Sequence, residues 1–334
     1  MATRIGKSDL LRRIIVAVTA SGWSAIVLST GHPFKLSILR GDQRVVVFCY
    51  IWNLTHGGYP RNPNELRIQI TGVDHFRVEE GAKTLLLGWG EDEQMFAGFD
   101  VTKHRISMSG RSPSLQVRRE TLDEAKAKAF FPQTRENEEI VIAFRPDFFV
   151  AYVQELEELH KSAQKPDELR QLERIANADI EREIRDIPPG PRRTVLEQIN
   201  RRVRDARFRK NVLAAYGYRC AISGIQLDLV DAAHIIPVEH EQGTDELKNG
   251  ICLSALHHRA FDAGLVGIKR DYSVIINQQR MSELRSIGWE GGSAEFRSSL
   301  RDQILLPARR THYPDPDYLL LGGQLRGWAR KYLD

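Results

Sequence analysis

Neither a helix nor a strand ladder can run through Pro188-Pro189-Gly190-Pro191, so the chain must turn or change domain there. Each proline removes a backbone donor and fixes φ, and the glycine among them is flexible enough to turn. At 334 residues the sequence is also too long for one ordinary core. The tetrapeptide therefore marks the expected domain boundary. Residues 1–150 are expected to form a mixed β-rich domain for recognition or sensing. Residues 151–187 are expected to form a charged helical connector, and 188–334 a second domain, giving an α+β protein.

Local patterning supplies the elements. Residues 8–21 have helical spacing. Strand-like segments follow at 23–29, 34–39, 44–51, 66–71, 85–89 and 95–101, rich in β-branched or aromatic residues and bounded by Gly, Pro, Asp or Asn. Gly41-Asp42 reads as a hairpin turn. Residues 114–117 read as a strand, 121–130 as a helix and 139–144 as a strand. From 148 to 187 the pattern is helical and charged, divided at Pro166-Asp167. Beyond the boundary, helices are expected at 194–216 and 254–263, a strand at 272–277, and a last helix after Pro316.

The net charge is +4, distributed as +3 over 1–150, −4 over 151–187 and +5 over 188–334. A polyanionic partner is compatible with two mildly basic domains but not demanded by them. No apolar run reaches the length of a membrane span. Arg12 and Arg13 interrupt the apolar N-terminal stretch, which reads as an amphipathic helix and not as an export signal. A cytoplasmic location without membrane contact is the expectation. Cys49, Cys220 and Cys252 are too few and too dispersed for a disulfide framework or a four-cysteine zinc site. Cys220 and Cys252 are expected to be small buried hydrophobes, and no structural zinc is expected.

The informative stretch runs from Tyr218 to Ile268. Ala232-Ala233-His234-Ile235-Ile236-Pro237 is a strand carrying one histidine and closed by proline. Asn249-Gly250-Ile251-Cys252-Leu253 follows a polar loop, and His258-Arg259-Ala260-Phe261-Asp262-Ala263-Gly264 then lies on a helix. A lone histidine on an apolar strand is usually a core residue. The ordered company of Asn249 and His258 reverses that reading.

These three segments, in this order, resemble the HNH nuclease family, in the branch common at the C-terminus of bacterial restriction-type nucleases. The similarity extends over about residues 205–325, taking in the approach from Phe208 to Gly224 and the downstream Leu305-Leu306-Pro307 and Pro316-Asp317-Tyr318-Leu319. It implies a β-hairpin packed on a helix around one metal ion, and hydrolysis of DNA phosphodiester bonds in restriction or anti-phage defence. It implies His234 as general base and Asn249 as the residue that holds the loop and orients the His234 ring. His258 would be a metal ligand. Many family members carry an acid directly before the base histidine, where this chain has Ala233. Asp231 lies on the same strand face as Ala233 and can substitute for that acid. Asp262, one helical turn after His258, is the competing candidate, and Asp231 is narrowly preferred. His257 is expected to be structural or to face substrate.

Hydrolysis of a phosphodiester needs an activated water, stabilisation of charge in the transition state, and protonation of the leaving oxygen. A neutral imidazole can activate the water, and one divalent ion can serve the other two needs. One histidine and one carboxylate suit Mg²⁺, with Mn²⁺ as a substitute. The basic cluster Arg201, Arg202, Arg204, Arg207, Arg209 and Lys210 precedes this centre and suits the phosphate backbone. In the first domain, Trp52, Asn53, His56, Tyr59, Arg61, Asn64 and Arg67 offer aromatic faces and forked donors for reading bases. One such centre cuts one strand, so a homodimer would allow duplex cleavage. The alternative is a nucleic-acid-binding or signal-sensing protein whose nuclease fold is inactive or a non-specific effector.

Overall fold

The computed structural model describes residues 3–56, 62, 64–104, 113–135, 137–161, 166–177 and 184–334. The chain divides into two compact units, Met1–Ala206 and Arg207–Asp334. Strands of the first unit are β1 (Ser24–Ser29), β2 (Phe34–Arg40), β3 (Gln43–Asn53), β4 (Thr55–His56), β5 (Glu65–Gln69), β6 (Ala82–Gly90), β7 (Met95–Phe99), β8 (Ser114–Arg118), β9 (Phe130–Thr134) and β10 (Ile140–Phe144). Seven of them form one sheet in the order β1-β2-β3-β6-β7-β10-β9, and β4-β5-β8 form another. Neighbours in the large sheet are antiparallel except β3 and β6, which run parallel.

Strand β3 shows why the large sheet is covered on both faces. Its apolar residues run on without polar alternation, as in a strand buried on two sides. Val47, Cys49 and Ile51 face one core, and Phe48, Tyr50 and Trp52 face the other. The first core receives Leu10, Ile14 and Val18 of the helix Lys7–Ala20. The second receives Leu66 and Ile68 of β5, Val117 of β8, and Leu122 of the helix Arg119–Ala127.

Three features of this unit differ from the sequence expectation. Among the described residues of 151–187, Tyr152, Val153, Leu156, Leu159, Leu172 and Ile175 are buried in its first core, so they do not stand apart as a connector. Residues Phe130–Thr134, expected partly as a helix end, form β9 at the sheet edge. Pro132 disguised it, because proline is tolerated in a strand mainly at an edge. The aromatic reading loop also changes. Trp52 lies on β3 and is only 6% exposed. Asn53 exchanges two 3.0 Å hydrogen bonds with the backbone of Ile5. His56 Nε2 meets the Arg119 guanidinium at 3.0 Å, and Arg67 sits mid-strand in β5. Tyr59 and Arg61 lie outside the described residues.

In the second unit β11 (Val230–His234) and β12 (Gly250–Ser254) form an antiparallel hairpin, with His234 opposite Gly250. Ser254 caps the next helix, Ala255–Asp262, its side chain accepting from the His257 amide. Strands β13 (Val266–Ile268) and β14 (Val274–Ile276) pair beyond it, and the helix Pro316–Leu325 closes the fold. Ala233, Ile251, Leu253 and Phe261 share a core with Phe208 and Val212 of the long helix Pro191–Ala215. Among the described residues no helix is long and apolar enough to cross a membrane.

A tight contact tests the packing of the first unit. A Cβ on Gly98 of β7 would lie 2.2 Å from the hydroxyl oxygen of Tyr152, which hydrogen-bonds His160 Nε2 at 2.9 Å. Gly98→Ala is expected to cost ~1–3 kcal/mol by overpacking. The measurement is the urea midpoint, with an unchanged m-value if the native and unfolded states keep their compactness.

Candidate active site

The hairpin register positions His234. Its partner Gly250 lies where a Cβ would come within 2.3 Å of Val212 Cγ2 and 3.0 Å of the Phe208 ring. Only glycine allows the long helix to approach the hairpin this closely. The Phe208 ring then stacks on the His234 imidazole at 3.7 Å between centroids and 6° between planes. His234 Nε2 lies 2.9 Å from Asp245 Oδ1, and both side chains are about one-fifth exposed (21% and 17%).

Asn249 is fully buried. Its Nδ2 donates to the carbonyls of Ile236 at 2.9 Å and Thr244 at 2.8 Å, and its Oδ1 accepts from the Ile236 amide at 2.8 Å. The Asn249 carbonyl accepts from the Ile235 amide at 2.9 Å. The polar loop is thus wrapped around one carboxamide. Gly243 permits the wrap, since a Cβ there would lie 2.2 Å from the Pro237 carbonyl oxygen. The side-chain bonds of Asn249 all go to backbone. Asp245 makes the ring contact. Nothing in Gly243-Thr244-Asp245-Glu246 distinguishes that acid from an ordinary loop carboxylate.

His258 and Asp262 are brought together on the helix, with Nε2 and Oδ2 3.3 Å apart and side-chain exposures of 25% and 53%. The other oxygen of Asp262 accepts from Arg326 Nη2 at 2.9 Å. Arg326 also donates to the carbonyls of His234 at 3.0 Å, Ile235 at 2.5 Å and Gly322 at 3.0 Å, and stacks over Phe261. It ties the end of β11 to the end of the helix. Sequence reading missed it, because a lone arginine 64 positions beyond Asp262 carries no local signal.

Asp231 lies at the second position of β11. It pairs with Arg209 and accepts from the Ala232 amide. Both carboxylates thus meet a guanidinium through Oδ1, and Asp262 also places its other oxygen beside an imidazole nitrogen. That nitrogen and oxygen, side by side and accessible, are a donor pair suited to a divalent cation. Among the described residues no three His, Cys, Asp or Glu side chains converge as a metal cluster.

Three further expectations bear on this region. His257 is structural: it is fully buried, with Nδ1 2.8 Å from Ser254 Oγ and Nε2 3.1 Å from Ser299 Oγ. Cys220 and Cys252 are buried free thiols, but Cys220 is more than a small hydrophobe. Burial alone would raise its pKa, yet hydrogen bonds from His257, Ser223 and backbone amides outweigh burial and bring it down to about 6. Burial, assisted by the charge on Cys220, pushes Cys252 up to about 12. The basic cluster is not one open stripe either. Arg202 pairs with Glu155 at 3.4 Å and Arg209 with Asp231, while Lys210 is exposed.

Arg326 offers a stability test. Arg326→Met keeps an apolar stem against Phe261 but strands the carbonyls the guanidinium serves. The expected cost is ~1–3 kcal/mol for each buried acceptor left unmet, measured by chemical denaturation of the full chain.

Comparison with known proteins agrees with the hairpin and helix. Residues 220–269 match the HNH endonuclease family, and residues 45–153 match the family described as Methylase-associated X1. A solved structure titled as a modification-dependent TagI restriction endonuclease aligns with 83% of this chain and 81% of its own, at 17% identity and a TM-score of 0.28. No curated protein matches. Enzymes of the HNH type generally use a divalent metal ion. The chain is thus an endonuclease whose C-terminal half carries an HNH domain.

Proposed function

We propose that this chain hydrolyses DNA phosphodiester bonds at His234, with the unit Met1–Ala206 choosing the target. The observation that carries the reading is the position of His234 and the His258–Asp262 pair on the hairpin and helix of the HNH segment. An HNH domain behind a methylase-associated domain fits a restriction-type nuclease. The alternative, an inactive or merely sensing protein, is not favoured by an intact His234, Asn249 and His258.

In this reading His234 takes a proton from the attacking water. Asn249 maintains the loop beside it. His258 and Asp262 would hold the divalent ion, Mg²⁺ by preference with Mn²⁺ as substitute, and Asp231 serves Arg209 instead. When bound, the ion offsets charge on the phosphate and on the leaving oxygen. Lys210, with the nearby Arg201, Arg204 and Arg207, contributes positive charge toward phosphates and no sequence selection. A single centre of this kind cuts one strand, so duplex scission takes two subunits or two visits.

Plasmid nicking tests the assignment. His234→Ala is expected to lose ~10²–10⁴-fold in rate while DNA binding, read by gel shift, survives. Near wild-type nicking by that variant would reject His234 as the base. A chelator should abolish nicking and leave the melting temperature unmoved, and added Mg²⁺ or Mn²⁺ should restore activity. Asp262→Asn should raise the metal concentration for half-maximal rate. Asp231→Asn should leave that concentration unchanged and lower stability, because Arg209 loses its partner. The opposite pattern would return the ligand role to Asp231.

A further inference from the structure

We infer that Asp245 is a positioning residue that fixes the proton of His234 on Nε2 and so makes Nδ1 the nitrogen that accepts the proton from water. This rests on the reading of His234 as general base. An ionised carboxylate can only accept hydrogen bonds, so the ring nitrogen 2.9 Å from Asp245 Oδ1 must carry hydrogen. A neutral imidazole has one N–H, which leaves the lone pair on Nδ1.

The stack on Phe208 cannot make this choice. It holds the plane of the ring, but a half-turn of the imidazole preserves the plane and exchanges its edges. The bond to Asp245 is what distinguishes one edge from the other. Asp245 is itself held from both sides by Asn249. The Asn249 carboxamide donates to the carbonyl of Thr244 at 2.8 Å, and the Asn249 amide donates to the carbonyl of Glu246 at 2.9 Å. Asn249 therefore reaches the imidazole through Asp245, one loop residue removed. In the reaction the water O–H bond breaks and its proton goes to Nδ1. The water oxygen bonds to phosphorus, and the leaving oxygen departs with the electron pair of the broken P–O bond. That oxygen takes a proton from solvent while Nδ1 returns its own. The Asp245 carboxylate meets the positive charge the ring carries in between.

The test uses the full-length protein and two readouts. In nitrogen-15 spectra of the imidazoles, the neutral wild-type His234 should carry its proton on Nε2, and Asp245→Asn should lose that preference. Asp245→Asn should nick plasmid ~10²–10⁴-fold more slowly, with Asp245→Glu recovering part of the loss. A residue that merely braced the loop would not move the ring proton. A wild-type ring protonated on Nδ1 overturns the inference even if the variant fails to fold. Wild-type nicking by Asp245→Asn, with His234→Ala inactive, overturns it and leaves the base assignment standing. Active His234→Ala overturns both.

Discussion

The carboxamide of Asn249 is fully buried, and its hydrogen bonds all go to the backbone of one loop. Burying such a group is costly unless it is paired, and here the pairing is with amides and carbonyls that have no strand or helix to serve them. The loop between β11 and β12 contains little regular structure beyond the short turn Leu247–Asn249. Its shape therefore depends on a side chain where other segments depend on a ladder. The position of Asp245, and through it the ring of His234, follows from that arrangement.

Charge is handled by a similar division of labour. Arg326 engages one oxygen of Asp262 and leaves the other facing His258. The same guanidinium meets the carbonyls at the end of β11, so the hairpin and the helix share one cation. Arg209 likewise engages one oxygen of Asp231. The two aspartates differ in that Asp262 has an imidazole nitrogen beside its other oxygen.

Much of this was legible from residue patterns. The strands of the first unit could be read because β-branched and aromatic runs between turn residues have few other uses, and β3 is the plainest case. The motif around His234, Asn249 and His258 was legible because its parts are close in sequence and ordered. What escaped was non-local or disguised. Pro132 hid an edge strand, and the charges of residues 151–187 hid helices whose apolar faces are buried. Arg326 and Asp245 carry no signal of their own, since their importance comes from what folding brings beside them. Trp52 misled because an aromatic next to a polar loop looks exposed until the strand pairing of β3 and β6 places it in a core.

The glycine opposite His234 also links the variation permitted at distant positions. Val212 and the Phe208 ring fill the space that a side chain at 250 would need, and the ring also supports the imidazole. A larger residue at 250 can be accepted only with smaller ones at 212 and 208, and the exchange at 208 removes the stack. Substitutions at the three sites should therefore be strongly epistatic, each harmful alone and jointly tolerable for folding but not for the imidazole. Among diverging descendants of this sequence, the three are expected to be inherited as one unit although 42 positions separate the outermost.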